Sequence, residues 1–401
     1  MECLKKGSFC IILKPDRPFC FARPHSGDSN RFESEDFIPG AAIRAALARN
    51  MKTGGKLEQY FHKLYIRHAF ASPENNIGQI RPFVIPLSFV VDHNDEFRDA
   101  CLQSKPGLLN GDAPTFLPDW KDKHYPQVFE FLQQQPPKQE QEKLERQVVV
   151  HTAIDSHSGR SLEKGLFTLE TIEPDNYCWH SEVHFDDHDI NESDKIEVLN
   201  ELDSLFQQGL SALGKTNACA TVSYAATTLT AKTFCEQWEV ISETPDNTLV
   251  LILQTPALLL PDLEGLHSSN SDATLLEKYR QSWKVLSQDS LELSHFYAQQ
   301  HLAGGSYMQK RFWADKDDYY PEILTNAGSV FVFHLKQDKL EIAQTQLKKW
   351  LKTGLPQHGD QHLGQHWETN PYIAANGYGE IRIRPKQWVE KQVKPGEWDD
   401  C

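Results

Sequence analysis

The sequence predicts an α+β fold built from two βαββαβ units with irregular insertions. Three observations predict it. Short runs of β-type residues alternate with stretches in helical register. The succession of opening strand, late helix, turn and closing strand occurs twice along the 401 residues. A segment rich in proline, glutamine and charge, near 105–145, interrupts the first occurrence and reads as an insertion or solvated loop. The expected division is a first domain over 1–240, carrying that insertion, and a second over 241–401.

The elements follow in order. SFCIIL (8–13) is the first strand candidate, followed by a polar stretch with glycine over 25–36. In FIPGAAIRAALARN, Pro39 and Gly40 break the chain, and 41–50 is strongly helix-forming. Ile43, Ala46 and Leu47 share one face of that helix, with Arg44 and Arg49 expected away from it. LYIRHAF and RPFVIPLSFVVD read as short β segments. GLFTLETI and YCWHSEVHF read as a hairpin pair. Residues 196–213 carry Ile196, Leu199, Leu202, Leu205, Phe206, Leu210 and Leu213 in helical register, with Gly214 as the expected C-cap. TVSYAATTL is a strand. The second unit opens with the strand NTLVLILQT and continues with GSVFVFHL. An amphipathic helix over 339–352 follows, with Ile342, Leu347, Trp350 and Leu351 expected inward. A glycine turn then feeds the strand in NGYGEIRIRP.

Composition narrows the function classes. Hydrophobic residues make up 39% and charged residues 24%, as in an ordinary soluble globular chain. The longest apolar run, 249–260, is interrupted by Gln254, Thr255 and Pro256, so no transmembrane helix and no membrane partner are expected. The N-terminal apolar patch is too short for a signal peptide. The eight cysteines are scattered without a CxxC pair. That argues against a structural zinc site or a disulfide scaffold, and for a reducing, cytoplasmic setting. Net charge is −15, but it is unevenly spread. Residues 1–70 hold 12 basic and 7 acidic side chains, residues 336–395 hold 10 and 6, and residues 160–250 hold 5 and 17. Basic ends and an acidic middle suit a polyanion on one face and solvent or protein neighbours on the other; simple solubility explains the charge equally well.

Few segments carry chemistry. A turn leading into a helix at Gly40 presents free N–H groups that suit a phosphate, and Arg44, Arg49 and Lys52 add cations nearby. Arg44 as an ordinary exposed helix residue is the alternative. Asn376, Gly377, Tyr378 and Gly379 form a turn that a nucleotide can approach closely, with Tyr378 available for stacking; a plain β-turn with a core tyrosine is the alternative. His25, His151, His157, His180, His184 and His188 are candidates for general acid–base chemistry. His184 and His188 flank two aspartates, but their stretch reads as strand, where i and i+4 lie far apart, so no metal site is expected. His358, His362 and His366 sit in a Gly/Gln-rich loop. GxSxG and HExxH are both absent from the sequence.

Four segments, taken in order, resemble the RAMP superfamily of CRISPR effector subunits. They are FIPGAAIRAALARN, HTAIDSHSGRSLEKGLFTLETIEPDNYCWHSEVHF, AGSVFVFHL and NGYGEIRI. The resemblance spans 8–53, 148–225 and 247–385. The TAID hairpin, LVLILQTPALLLPDLEG and AGGSYMQKRFW are similar to the single-chain RAMP subunit of type III-D systems, the Csx-ten family. The resemblance implies two ferredoxin-like (RRM-like) RAMP domains and a subunit that holds the guide's 5′ handle or backbone. It implies CRISPR RNA, target RNA, other RAMP subunits and the large subunit as partners, with no cofactor and no metal. The RNA-binding residues so implied are His25, Gly40, Arg44, Arg49, Lys52, His151, Asn376, Gly377, Tyr378 and Gly379. Asp28 is the position that matches the target-cutting aspartate of backbone RAMP subunits, and turn chemistry in SGDSN is its other reading. The sequence departs from the pattern at LGKTNACATVSY, which keeps Gly214 and lacks the later glycines of the family's loop. Ala41 and Ala45 also stand where the family often has serine and glycine. A ribonuclease and a pure protein scaffold are the competing functions.

Overall fold

A computed structural model of the chain describes residues 7–23, 30–74, 81–91, 97–102, 115–116, 144–225, 248–260, 275–305, 309, 321–356 and 370–384. Strand β1 (Ser8–Pro15) opens the first unit. Then come β2 (Arg31–Phe32), α1 (Gly40–Asn50), a short α2 (Lys56–Tyr60), β3 (Leu64–Ile66) and β4 (Phe70–Pro73). Three short strands, β5 (Phe89–Val91), β6 (Phe97–Asp99) and β7 (Thr115–Phe116), make a small separate sheet with β5 in the middle. The hairpin β8 (Arg146–Ile154) and β9 (Ser161–Ile172) follows, then β10 (Tyr177–Phe185), α3 (Glu192–Gln208), β11 (Leu210–Leu213) and β12 (Ala218–Ala225).

The main sheet of this unit runs β11-β12-β1-β10-β3, with β4 also on β10, and its ladders are antiparallel. Without the additions, the chain reads β1-α1-β3-β10-α3-β12. Its strands then lie in the order fourth, first, third, second, which is the ferredoxin-like arrangement.

The second unit repeats it. β13 (Thr248–Leu253), α4 (Leu275–Leu286), β14 (Leu291–Tyr297), β17 (Val330–Leu335), α5 (Leu340–Thr353) and β18 (Ile381–Ile383) form a sheet in the order β14-β17-β13-β18. A separate ladder of β15 (Gln300–Ala303) and β16 (Glu322–Thr325) is inserted between β14 and β17. The α+β class of two ferredoxin-like units is therefore what the topology shows. The expected boundary at 240 and most of the insertion at 105–145 lie outside the described residues.

Each sheet has one face under its helices, because strand residues alternate sides. Phe9, Ile11, Leu13, Trp179, Val183 and Phe185 pack against α1 and α3 residues such as Leu47, Leu202 and Phe206. In the second unit Leu249, Leu251, Phe331 and Phe333 pack against Trp283 and Trp350. Each such buried Leu or Phe contributes about 1.5–3 kcal/mol. The opposite face of the second sheet, with Val250, Ile252, Val330 and Val332, is covered by Phe89, Val91 and Cys101. The small β5 sheet is thus a lid for that face.

Several local expectations change. The helix predicted over 196–213 starts earlier, where Asn191 accepts from the Asp194 N–H at 2.8 Å, and stops at Gly209. Gly209 has φ +80° and a Cβ there would lie 2.8 Å from the Ala220 carbonyl oxygen, so the helix cannot continue. Leu210 and Leu213 belong to β11, and Gly214 is a left-handed turn residue rather than the cap. Ile196 is exposed, and Val198 takes a place in the core instead. In α5 Ile342 is 37% exposed, while Ala343, Leu347 and Trp350 are buried.

β9 and β10 do not pair. β9 joins β8 and, in parallel, β2, whereas β10 joins β1, β3 and β4. β10 is buried along both faces and takes the sheet interior; β8 is exposed along its length and stays at an edge. Helix α4 and strand β14 add to the elements predicted for the second unit; Leu276, Tyr279, Trp283 and Leu286 recur at helical spacing and turn one side of α4 to the core.

Candidate functional site

The FIPG and NGYG segments, from opposite ends of the chain, meet around one buried histidine. A Cβ on Gly40, the first residue of α1, would fall 2.1 Å from the Ile66 carbonyl oxygen and 2.6 Å from that of Asn376. Only glycine lets the helix start there. The Gly40 N–H donates to His68 Nδ1 at 3.0 Å. On the other side Gly377 has φ +98°, and a Cβ there would fall 2.5 Å from His68 Nδ1. Phe37 stacks on the imidazole at 4.8 Å, and Tyr378 meets it edge-on at 4.9 Å. Burial, with Arg81 nearby, pulls the His68 pKa down to about 3, so the ring is neutral at physiological pH. Because Nδ1 accepts, the tautomer carries its proton on Nε2, and Nε2 is buried without a partner among the described residues.

The rest of the turn is tied down as well. Asn376 is buried, and its side-chain amide donates to the Pro371 carbonyl at 2.9 Å. Tyr378 is half-buried against Tyr372, and burial raises its phenol pKa. Gly379, at φ +69°, donates its N–H to the Pro256 carbonyl at 2.8 Å.

Beneath the turn, buried charges join the two units. Arg81 grips Glu380 with both guanidinium arms, at 2.5 and 2.6 Å. Arg67 Nη1 reaches Glu380 at 2.7 Å and Glu182 at 3.2 Å. Arg67 Nη2 also donates to the carbonyls of Leu351 and Lys352 at the end of α5, where the helix dipole is negative. Burial pushes the Glu380 carboxyl up, but Arg81 and Arg67 outweigh it and hold the pKa well below the usual range. No sequence pattern marked these residues. The signal available was their position, an arginine next to His68 and a glutamate next to Gly379.

The other predicted residues are scattered. Arg44 does not face away from the core. It is buried, lies over the Phe61 ring at 4.6 Å, and donates to the carbonyls of Leu64 and Phe61. Burial lowers its pKa to about 10. Position 44 lies one turn from Gly40 and next to Leu47, so it shares the packed side of α1. A ligand would have to draw this side chain away from those carbonyls. Arg49 and Lys52, at the far end of α1, are exposed. His151 is exposed on β8 and stacks on Phe167. His25, Asp28, His358, His362 and His366 lie outside the described residues.

His180 is buried with its Nε2 3.2 Å from Cys178 Sγ, and burial lowers its pKa to about 4. His184 Nδ1 lies 2.7 Å from Ser8 Oγ; burial lowers its pKa to about 4 as well. His188 is exposed in the turn after β10 and pairs with Asp189 at 2.5 Å, so His184 and His188 share no site. Among the described residues no three metal-ligating side chains converge, and no helix is long and apolar enough to cross a membrane.

These features define a chain of two tandem ferredoxin-like units joined through a glycine-lined seam. No protein-family model matches it, and no curated protein does. Solved structures similar to it include chains of CRISPR assemblies. A chain of a type III-B Cmr-beta complex bound to cognate target RNA is 12% identical, covers 87% of this chain and 96% of its own, and has a TM-score of 0.37. A chain of the Csm3–Csm4 subcomplex of the type III-A CRISPR-Cas interference complex is 12% identical over 80% of this chain and 92% of its own, at 0.36. A chain of a type IV-B CRISPR complex is 13% identical over 56% and 92%, at 0.25.

Proposed function

We propose that this chain is an RNA-holding subunit of a type III CRISPR effector assembly, of the single-chain III-D kind, gripping the 5′ handle or backbone of the guide. One observation carries the reading. Two of the four motifs that carry the resemblance, FIPG and NGYG, converge on His68 in a fold of two βαββαβ units. In this reading Gly40, Asn376, Gly377 and Gly379 shape the seam. Contact with RNA falls to exposed or half-exposed groups: the rim of Tyr378 at the seam, Arg49 and Lys52 at the far end of α1, and His151 on the β8–β9 hairpin. Arg44 sets the position of α1 against β3. The acidic middle of the chain faces protein neighbours, the other RAMP subunits and the large subunit.

The test is to isolate the native assembly through a tag on this chain and sequence the RNA it carries. A short RNA with a uniform 5′ end is expected. An assembly free of RNA, or RNA with ragged 5′ ends, overturns the reading. The double substitution Arg49→Glu with Lys52→Glu gives a second check in direct binding titrations. Two lost phosphate contacts on a single strand flatten the slope of log K against log salt by about 1.4. An unchanged slope removes both residues from the interface. Cleavage assays of the same assembly with Asp28→Ala separate holding from cutting.

A further inference from the structure

The β8–β9 hairpin brings together side chains that the seam does not use. His151 on β8 lies directly opposite Phe167 on β9. The two rings are nearly parallel, with centroids 5.3 Å apart and 17° between planes. Phe32 of β2 meets Phe167 edge-on at 6.0 Å. Lys215 Nζ lies 4.0 Å from the centre of the Phe32 ring. The array therefore draws on β2, β8, β9 and the turn between β11 and β12.

Its position is unlike that of the core aromatics. His151 and Lys215 are exposed, and Phe32 and Phe167 are half-buried. The imidazole has Phe167 on one side and is itself exposed. The array is also held in place. The Lys215 N–H donates to the Cys20 carbonyl at 2.9 Å. Gly214 before it has φ +65°, and a Cβ there would fall 2.5 Å from that same oxygen. This is the LGKTN loop that lacks the expected later glycines. What it presents is a lysine on a backbone held by that bond.

We infer that His151, Phe167, Phe32 and Lys215 form a stacking platform for one unpaired base of a bound single-stranded RNA, with Lys215 facing the adjoining phosphates. Aromatic faces bind bases only where those faces are open, so a duplex does not fit. Lysine over an aromatic ring keeps its charge available at the surface. The inference rests on the RNA-holding reading above and names a second contact for the same strand, on the hairpin rather than at the seam.

Fluorescence anisotropy of the full chain with a short unstructured RNA tests it, using His151→Ala, His151→Trp and Lys215→Ala, each checked by circular dichroism. His151→Ala is expected to weaken binding about five- to a hundred-fold, the worth of one stacked base. His151→Trp keeps or improves affinity. Lys215→Ala lowers the salt slope by about 0.7. An RNA with abasic sites throughout is expected to bind wild type and His151→Ala alike. If the chain binds RNA and His151→Ala matches wild type on the intact RNA, the platform is wrong and the RNA-holding reading stands. If His151→Trp binds as weakly as His151→Ala, stacking is excluded and the ring contacts serve the hairpin alone. If wild type binds no RNA, free or assembled, both readings fall.

Discussion

At the scale of single residues, His68 and its two glycines decide the seam. Gly40→Ala is expected to cost about 2–3 kcal/mol, because a methyl group 2.1 Å from the Ile66 carbonyl oxygen must displace backbone. Urea unfolding measures it, and a loss below half a kcal/mol would show that α1 is free to shift. His68 also makes stability depend on pH. Its pKa is pulled from 6.5 to about 3 in the fold, so below about pH 6.5 the unfolded chain binds a proton that the folded chain does not. Its contribution is complete above that pH and is lost as pH falls toward 3. His180 and His184, pulled down to about 4, act with the same sign. In His68→Asn, unfolding free energies at pH 5 and 6 are expected to fall less steeply with acid, by about 1.4 kcal/mol per pH unit. An identical slope would mean that His68 protonates in the folded protein.

At the scale of elements, helix ends and strand partners show where tertiary contact overrides local pattern. The leucines at 210 and 213 continue the helical period, yet the helix ends at Gly209, whose left-handed backbone lies against β12. Gly209→Ala is expected to destabilise by about 1–2 kcal/mol more than Gly159→Ala. Both glycines have positive φ, but among the described residues nothing lies within 4 Å of a Cβ at Gly159. Chemical denaturation of the two variants measures the difference, and equal losses would assign the whole effect to backbone conformation. β10 is the counterpart among strands. Its buried residues on both faces take it to the sheet interior, away from the neighbour in sequence with which alternation alone pairs it.

At the scale of the whole molecule, the Arg67–Arg81–Glu182–Glu380 cluster makes the two units depend on each other. A carboxylate with three close guanidinium contacts in a buried site stabilises only while every partner is present. Glu380→Gln leaves Arg81 and part of Arg67 buried without a counter-charge. It is expected to cost about 3–5 kcal/mol and to split one calorimetric transition into two as the units uncouple. A single transition at unchanged temperature would mean that apolar packing alone joins them.

Much of the architecture was legible in the sequence, because periodicity is a local property. The opening strands, α1, α5, the repetition of opening strand, late helix and closing strand, and the FIPG and NGYG turns all follow from alternation, helical register and glycine placement. Which strand pairs with which, and that Arg44 points inward, was settled by tertiary contact. So was the meeting of Gly40 and Gly377 at His68, and of Lys215 with the aromatic pair on the hairpin. Each of these joins residues distant in sequence, and burial and close backbone approach select them. A one-dimensional pattern records that a glycine is present; only the folded chain shows which carbonyl it must let pass.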